Sequence, residues 1–288
     1  MRLREAWARS RRQLERASIP DADIEAQVLL RNALGIDRAT FHASSDLELS
    51  NEDAEAFERT VARRIEGEPL SYITGHREFY SLDFVVTPDV LVPRQETEFL
   101  VEAVLGYARC RTGDEGVLTV ADIGTGSGCI AVAVGHNLPN ATVYATDVSR
   151  EALRIAGENV RRHGLDGRVR LRHGDLFEAL DGPVDVVVSN PPYLSDDEAV
   201  DLPPDVKREP SVALVAGPDG MGVLRRLVVG AREYVKPGGL LALEIDPRRV
   251  EAVERLARGT FPGGEIGVIK DHAGLERVVT VRVGQPSA

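Results

Sequence analysis

A valine-rich run, Val184 to Ser189, leads into Asn190-Pro191-Pro192-Tyr193. These four residue types suit one chemical problem, the alkylation of an amide or aniline-type nitrogen. The lone pair of such a nitrogen is delocalised, so it is a poor nucleophile. A catalyst has to aim it and accept its hydrogens. The Asn190 side-chain oxygen and the Pro191 carbonyl offer two acceptors that need no deprotonation. The two prolines hold φ near about −65° and remove competing N–H donors, which stiffens the acceptor pair. Tyr193 offers a flat wall to a planar group. Alignment supplies most of the gain in an in-line displacement, and no strong base is required, because the proton leaves as positive charge builds on nitrogen. Asn190, Pro191 and Tyr193 are therefore the expected catalytic residues, and together with Pro192 they form the expected substrate surface. A Pro-rich turn after a strand would use the same letters, so the weight falls on what lies upstream.

Upstream stands Asp122-Ile123-Gly124-Thr125-Gly126-Ser127-Gly128-Cys129, followed by the apolar Ile130-Ala131-Val132-Ala133-Val134. In an open α/β sheet, ligands bind beyond the carboxyl ends of strands, where glycines allow close approach of the backbone. The spacing is GxGxG. A dinucleotide fingerprint, GxGxxG, would need glycine where Cys129 stands. S-adenosylmethionine has no pyrophosphate to cradle; its amino-acid tail and sulfonium suit a glycine turn preceded by an acid such as Asp122. Asp147, at the end of the next strand, can accept from both hydroxyls of a ribose, although an acid before Ser149 also suits a helix entry. Asp175-Leu176-Phe177 places a carboxylate and apolar walls where an adenine would lie, and equally suits an acid turn over a core Phe. All three fall at the ends of successive strands, on the edge that Asn190 shares.

The elements that must position these residues are legible from periodicity. Strand-like segments run over 118–123, 142–147, 168–172, 184–189, 239–245, 266–270 and 277–283, with helical patterns between most of them. One such pattern runs from Ser149 to His163, with Leu153, Ala156 and Val160 on one face, Ser149 at its start and Gly164 at its end. Before them, Ala22, Ala26, Leu29 and Ala33 form one helical stripe and Ala54, Phe57, Val61 and Ile65 another, the latter opened by Ser50 as a cap. Residues 79–86 and 90–92, punctuated by Pro88-Asp89, predict a short hairpin. The expected fold is α/β, a doubly wound seven-stranded methyltransferase sheet with a small N-terminal helical domain. The boundaries are a helical domain over 1–76, a hairpin linker over 77–92 and an S-adenosylmethionine-dependent domain over 93–288.

Of 288 residues, 43% are hydrophobic and 28% charged, as in folded globular chains. The formal net charge of −11 argues against a broad grip on phosphates, so no direct nucleic-acid binding is expected. Cys110 and Cys129 lack metal-like spacing and are too few for a disulfide framework. The charged first residues do not form a signal-peptide core and no apolar run is long enough for a membrane span, so the expected location is cytoplasmic, with no membrane partner.

With these motifs in place the chain resembles the release-factor glutamine methyltransferases, the PrmC/HemK family. Further blocks carry the likeness: Glu68-Pro69-Leu70-Ser71-Tyr72-Ile73-Thr74-Gly75 with Glu78-Phe79, Pro93-Arg94-Gln95-Glu96-Thr97-Glu98, Lys207-Arg208-Glu209-Pro210, Gly217-Pro218-Asp219-Gly220 and Gly274-Leu275-Glu276-Arg277. The resemblance implies S-adenosylmethionine as methyl donor and, as protein partner, class I peptide-chain release factors, methylated on the glutamine of their Gly-Gly-Gln motif. It also implies that residues 1–76 help dock that protein. By the same resemblance Gly124, Thr125, Gly126, Ser127, Gly128, Asp147, Leu176 and Asn190 contact cofactor, while Asn190, Pro191, Pro192 and Tyr193 receive the glutamine. Asp175 is added to the cofactor set from its position alone. Leu176 replaces a Trp found in some members, and Glu244-Ile245-Asp246-Pro247-Arg248 departs from the family pattern, so that loop is left unassigned. The alternatives are a glutamine methyltransferase for a ribosomal protein, an adenine amino-methyltransferase that extrudes its base, a non-catalytic module of the same fold and a nicotinamide oxidoreductase.

Overall fold

The computed structural model describes residues 1–111 and 116–285. They divide into two units. The first comprises Met1–His76 with Pro203–Arg208, and its helices are α1 (Leu3–Arg16), α2 (Ala22–Leu34), α3 (Arg38–Ala43), α4 (Asn51–Ile65) and α5 (Leu70–Thr74). Helical spacing turns Ala22, Ala26 and Leu29 inward on α2, and Phe57 and Val61 inward on α4. Ser50 Oγ caps α4 by accepting from the Asp53 N–H at 3.0 Å. The second stripe needs one correction: Ile65 is exposed, and Arg64 takes the inward place. A stripe continuing from Val61 falls on 64 or 65. The guanidinium is accommodated because Glu25 accepts two of its hydrogen bonds, at 2.6 and 3.1 Å, which offsets the cost of burying its charge.

The second unit comprises Arg77–Leu202 with Glu209–Ala288. It opens on a hairpin of β1 (His76–Phe79) and β2 (Leu82–Val85). The turn is not at Pro88-Asp89 but at Tyr80-Ser81, both left-handed with φ of 50° and 60°. Two such residues in succession suit the twist of a tight hairpin. Neither residue type favours the left-handed region, and the conformation is held by Glu98, which accepts from the Tyr80 N–H at 2.9 Å, and by Glu102, which accepts from its hydroxyl.

There follow α6 (Glu98–Cys110), β3 (Thr119–Ile123), α7 (Cys129–Asn137), β4 (Thr142–Asp147), α8 (Arg150–Arg162), β5 (Val169–His173), β6 (Val184–Ser189), α9 (Asp196–Val200), α10 (Gly222–Tyr234), β7 (Val235–Glu244), α11 (Val250–Thr260), β8 (Glu265–Lys270) and β9 (Glu276–Arg282). Seven strands form one sheet in the order β5-β4-β3-β6-β7-β9-β8. The first five are parallel, whereas β9 runs antiparallel to both neighbours. Only residues 271–275 separate β8 from β9, too few for a crossover.

Helices cover both faces, which is why Val186, Val187 and Val188 are all buried. Val120, Val186 and Val188 pack with α6 and α7 on one side; Ala121, Ile123 and Val187 pack with α10 and α11 on the other. The strand order changes direction between β3 and β6, and the crevice at their carboxyl ends is where such sheets bind ligands. Among the described residues, no helix is long and apolar enough to cross a membrane.

Candidate active site

The turn after β3 is held by main-chain hydrogen bonds. The N–H groups of Gly124 and Thr125 both donate to the Thr146 carbonyl, at 2.9 and 2.8 Å. The Gly126 N–H donates to Asp147 Oδ2 at 2.9 Å, and the Ser149 N–H to Asp147 Oδ1 at 2.9 Å. The Asp147 carboxyl is thus fixed at the tip of β4 with lone pairs left on each oxygen. Burial raises its pKa, opposed by the hydrogen bonds from Ser149 and Gly126. Gly128, with φ of 81°, starts α7. A Cβ there would lie 3.2 Å from the Cβ of Ala156, so glycine lets α7 and α8 approach.

Asp122 lies beneath this turn, fully buried. Its Oδ2 accepts from the Thr125 hydroxyl at 2.6 Å and from the Ala131 N–H, in the first turn of α7, at 3.2 Å. Its Oδ1 is buried without a partner among the described residues. Burial pushes its pKa up to about 7, against the Thr125 and Ala131 hydrogen bonds and with a contribution from Asp147. Cys129 beside it stays a thiol, pushed up to about 12 chiefly by burial, and so offers no nucleophile at neutral pH.

Gly124, Thr125, Gly126, Ser127, Asp147, Asp175, Leu176 and Asn190 all border one cavity of about 320 Å³, as do Pro191 and Pro192. Gly128 and Tyr193 do not border it. Where a Cβ would stand on Gly124 or Gly126, nothing lies within 4 Å, so the glycine backbone is open to a ligand. Open glycines, a pinned acid at the end of β4 and the apolar wall of Leu176 fit a nucleoside carrying an amino-acid tail. Leu176 is left-handed at φ 51°, a conformation that costs a branched side chain roughly 1–2 kcal/mol. Its carbonyl accepts from the Thr146 hydroxyl at 3.3 Å. The Asp175 carboxylate is already engaged by Arg226, at 2.6 Å.

The loop after β6 is held differently. Ser189 Oγ donates to the Ile123 carbonyl at 2.6 Å, tying the ends of β6 and β3 together. Asn190 Nδ2 donates to Thr97 Oγ1 at 3.1 Å. Tyr193 packs against the core beside α10 and α11. Its hydroxyl pKa is raised, first by burial and then by Glu244, so it stays protonated. Beyond it, the Leu194 N–H donates to the Leu214 carbonyl at 2.9 Å and the Ala216 N–H to the Leu194 carbonyl at 2.8 Å.

The supporting positions of four residues are not marked in the sequence. Asn159, buried on α8, accepts from the Val85 N–H at 2.8 Å and donates to the carbonyls of Val85 and Ser127 at 2.9 and 2.8 Å. It joins β2 to the glycine turn. Thr97 stands behind Asn190, and Glu244 is buried at the end of β7. Arg249, the residue after the departing segment, is buried with Glu198 as partner at 2.5 Å. Its guanidinium and the Tyr193 carbonyl would each overlap a Cβ at Gly220, so Gly220 is required there. A polar letter on a helix or at a strand end carries no mark of such distant partners.

Two segments match known family models: residues 5–75 the PrmC N-terminal domain, and residues 107–203 the methyltransferase small domain. The release factor glutamine methyltransferase of Moorella thermoacetica is 45% identical over 279 residues, covering 96% of this chain and 97% of that protein. That of Koribacter versatilis is 39% identical over 285 residues, covering 98% and 99%. Among solved structures, a methyltransferase from Pyrococcus furiosus aligns with a TM-score of 0.51 at 20% identity, covering 79% of this chain and 99% of that one. A likeness at that identity speaks for the fold.

Proposed function

The chain belongs to the release factor glutamine methyltransferases, and from that membership we propose how its own residues divide the reaction. The protein is an S-adenosylmethionine-dependent protein-glutamine N-methyltransferase, and a release factor is its substrate. When bound, the cofactor supplies an electrophilic methyl group. In the proposal the acceptor is the glutamine of the Gly-Gly-Gln loop of a class I factor, and the helical unit of residues 1–76 docks that protein. The enzyme is assigned to the cytoplasm, where translation ends.

The observation that carries the division of labour is that Asn190 borders the same cavity as the glycine turn. Gly124 to Ser127 receive the amino-acid tail, Gly128 sets the turn, Asp147 accepts from the ribose, and Leu176 with Asp175 borders the adenine. Asn190 Oδ1 and the Pro191 carbonyl accept the two hydrogens of the glutamine amide and so turn its nitrogen toward the methyl group. Acceptors of this kind act by holding the amide in line. Pro192 closes the cavity wall. Tyr193, which does not border the cavity, is assigned to holding the loop rather than to stacking on the amide.

The test incubates the protein with methyl-labelled S-adenosylmethionine and, separately, a release factor, ribosomal proteins and adenine-containing DNA. Label on the Gly-Gly-Gln glutamine, lost when that glutamine is changed to Ala, is the expected result. Label on ribosomal protein or DNA alone would keep the chemistry and overturn the substrate.

A further inference from the structure

The division of labour proposed for the reaction gives the substrate glutamine acceptors for its amide hydrogens and no donor for its amide oxygen. That oxygen loses water on entering the cavity, and a buried carbonyl left unpaired costs affinity. Arg94 borders the cavity together with the apolar Leu91, Pro93, Pro210 and Val212. Contacts tie it to the Asn190 loop from two directions. The Thr97 N–H donates to the Arg94 carbonyl at 3.2 Å, and Thr97 Oγ1 accepts from Asn190 Nδ2 at 3.1 Å. On the other side Arg94 Nη2 donates to Glu209 Oε1 at 2.6 Å. Glu209 leads into the segment whose Leu214 carbonyl and Ala216 N–H pair with Leu194, just beyond Tyr193. The guanidinium is therefore held within a ring of contacts that begins and ends at the loop presenting the substrate nitrogen.

The other charged side chains at the cavity have work elsewhere. Asp147 is pinned by the N–H groups of Gly126 and Ser149, Asp89 accepts from Arg154 at 3.1 Å, and Arg226 engages Asp175 at the end assigned to the adenine. A guanidinium carries several N–H donors in a planar fork, and apart from the Nη2 bond to Glu209 the Arg94 fork has no side-chain or main-chain acceptor among the described residues. The Glu209 side chain is 2% exposed, so its charge is balanced where screening is weak. The pair offers N–H groups without net charge, which suits a neutral carbonyl and not the carboxylate of the cofactor tail. As the nitrogen attacks, its lone pair leaves conjugation and charge drains from the amide oxygen. A hydrogen bond to that oxygen is then no stronger in the transition state than before it, and serves binding more than rate.

We propose that Arg94 is a substrate-binding residue that donates to the side-chain carbonyl oxygen of the target glutamine, so that the amide is gripped at both ends. This rests on the glutamine entering the cavity at Asn190. The test measures the affinity of the full chain, loaded with S-adenosylhomocysteine, for a release factor carrying Gly-Gly-Gln and for the same factor with that glutamine changed to Ala. Arg94→Ala is expected to weaken the glutamine factor about tenfold and the alanine factor by less than about twofold. In the transfer assay kcat stays within about threefold of the parent, as does cofactor Kd. A merely structural role would weaken both factors alike. Equal weakening of the two factors, no weakening of either, or a loss confined to cofactor affinity overturns the proposal. Should Arg94→Ala not fold because Glu209 loses the guanidinium, Arg94→Met combined with Glu209→Leu removes both charges and is read in the same way. Failure of the parent to label the glutamine from methyl-labelled cofactor would instead remove the reading beneath the proposal.

Discussion

The glycine turn after β3 and the Asn190 loop after β6 border one cavity, yet they are built by different means. The turn is fixed largely by its own backbone and by acids one strand away: Gly124 and Thr125 on the Thr146 carbonyl, and Gly126 on Asp147. The loop is fixed through partners distant in sequence: Asn190 on Thr97, Ser189 on the Ile123 carbonyl, and Arg249 beside the Tyr193 carbonyl. A cofactor common to many enzymes can be held by a local motif. A nitrogen that must be aimed within narrow limits needs its acceptor braced from several elements.

Each half contains one fully buried acid, and the largest expected effect comes from them. Asp122 and Glu244 both have pKa values raised to about 7, above those of the unfolded chain, chiefly by burial. The native state then holds more protons than the unfolded chain between about pH 4 and pH 7, so stability falls as pH rises through that window. Each pH unit separating the folded from the unfolded pKa is worth about 1.4 kcal/mol, so either acid contributes a slope that calorimetry resolves. Asp122→Asn and Glu244→Gln should each flatten the curve, gaining on the parent as pH rises; parallel curves would contradict this.

Next in size is Asn159→Leu, which leaves the N–H and carbonyl of Val85 and the carbonyl of Ser127 without their partner. A loss of about 3 kcal/mol is expected in denaturant unfolding, together with weaker cofactor binding, because the glycine turn loses its brace. Unchanged stability would show that the turn holds itself. Asp147→Ala, confined to the cofactor half, should weaken cofactor binding at least tenfold, about 1.4 kcal/mol, with little change in the rate of transfer at saturating cofactor. An equal fall in that rate would erase the distinction between the halves. The smallest effect lies outside both: Ser50→Ala should cost the helical unit about 1 kcal/mol, read by thermal melting, without altering cofactor affinity.

What was legible in the sequence follows the same division. Segments with strong local periodicity, such as Thr142–Asp147 and Val184–Ser189, coincide with β4 and β6, because both faces of the sheet are covered and apolar runs mark its strands. The cavity edge was legible because chemistry-bearing residues sit where such strands end. The hairpin turn was not, since Tyr80 and Ser81 are held left-handed by Glu98 and Glu102 rather than by their own preference. Nor was the reversal of β9, which a short link imposes on an otherwise alternating pattern. Thr97 and Asn190 stand 93 positions apart, and Asn159 and Val85 stand 74 apart. Such pairs exist only once the chain is folded, so spacing alone carries no trace of them.

Asn190 is proposed to act chiefly on the substrate nitrogen, beyond any contact it makes with the cofactor. Single-turnover transfer from labelled S-adenosylmethionine to a release factor, measured beside cofactor affinity for the parent and Asn190→Ala, tests it most directly. Transfer is expected to slow about 100-fold or more, with cofactor affinity changed by less than about tenfold. Transfer at the parental rate, or a slowing explained wholly by lost cofactor binding, would contradict it.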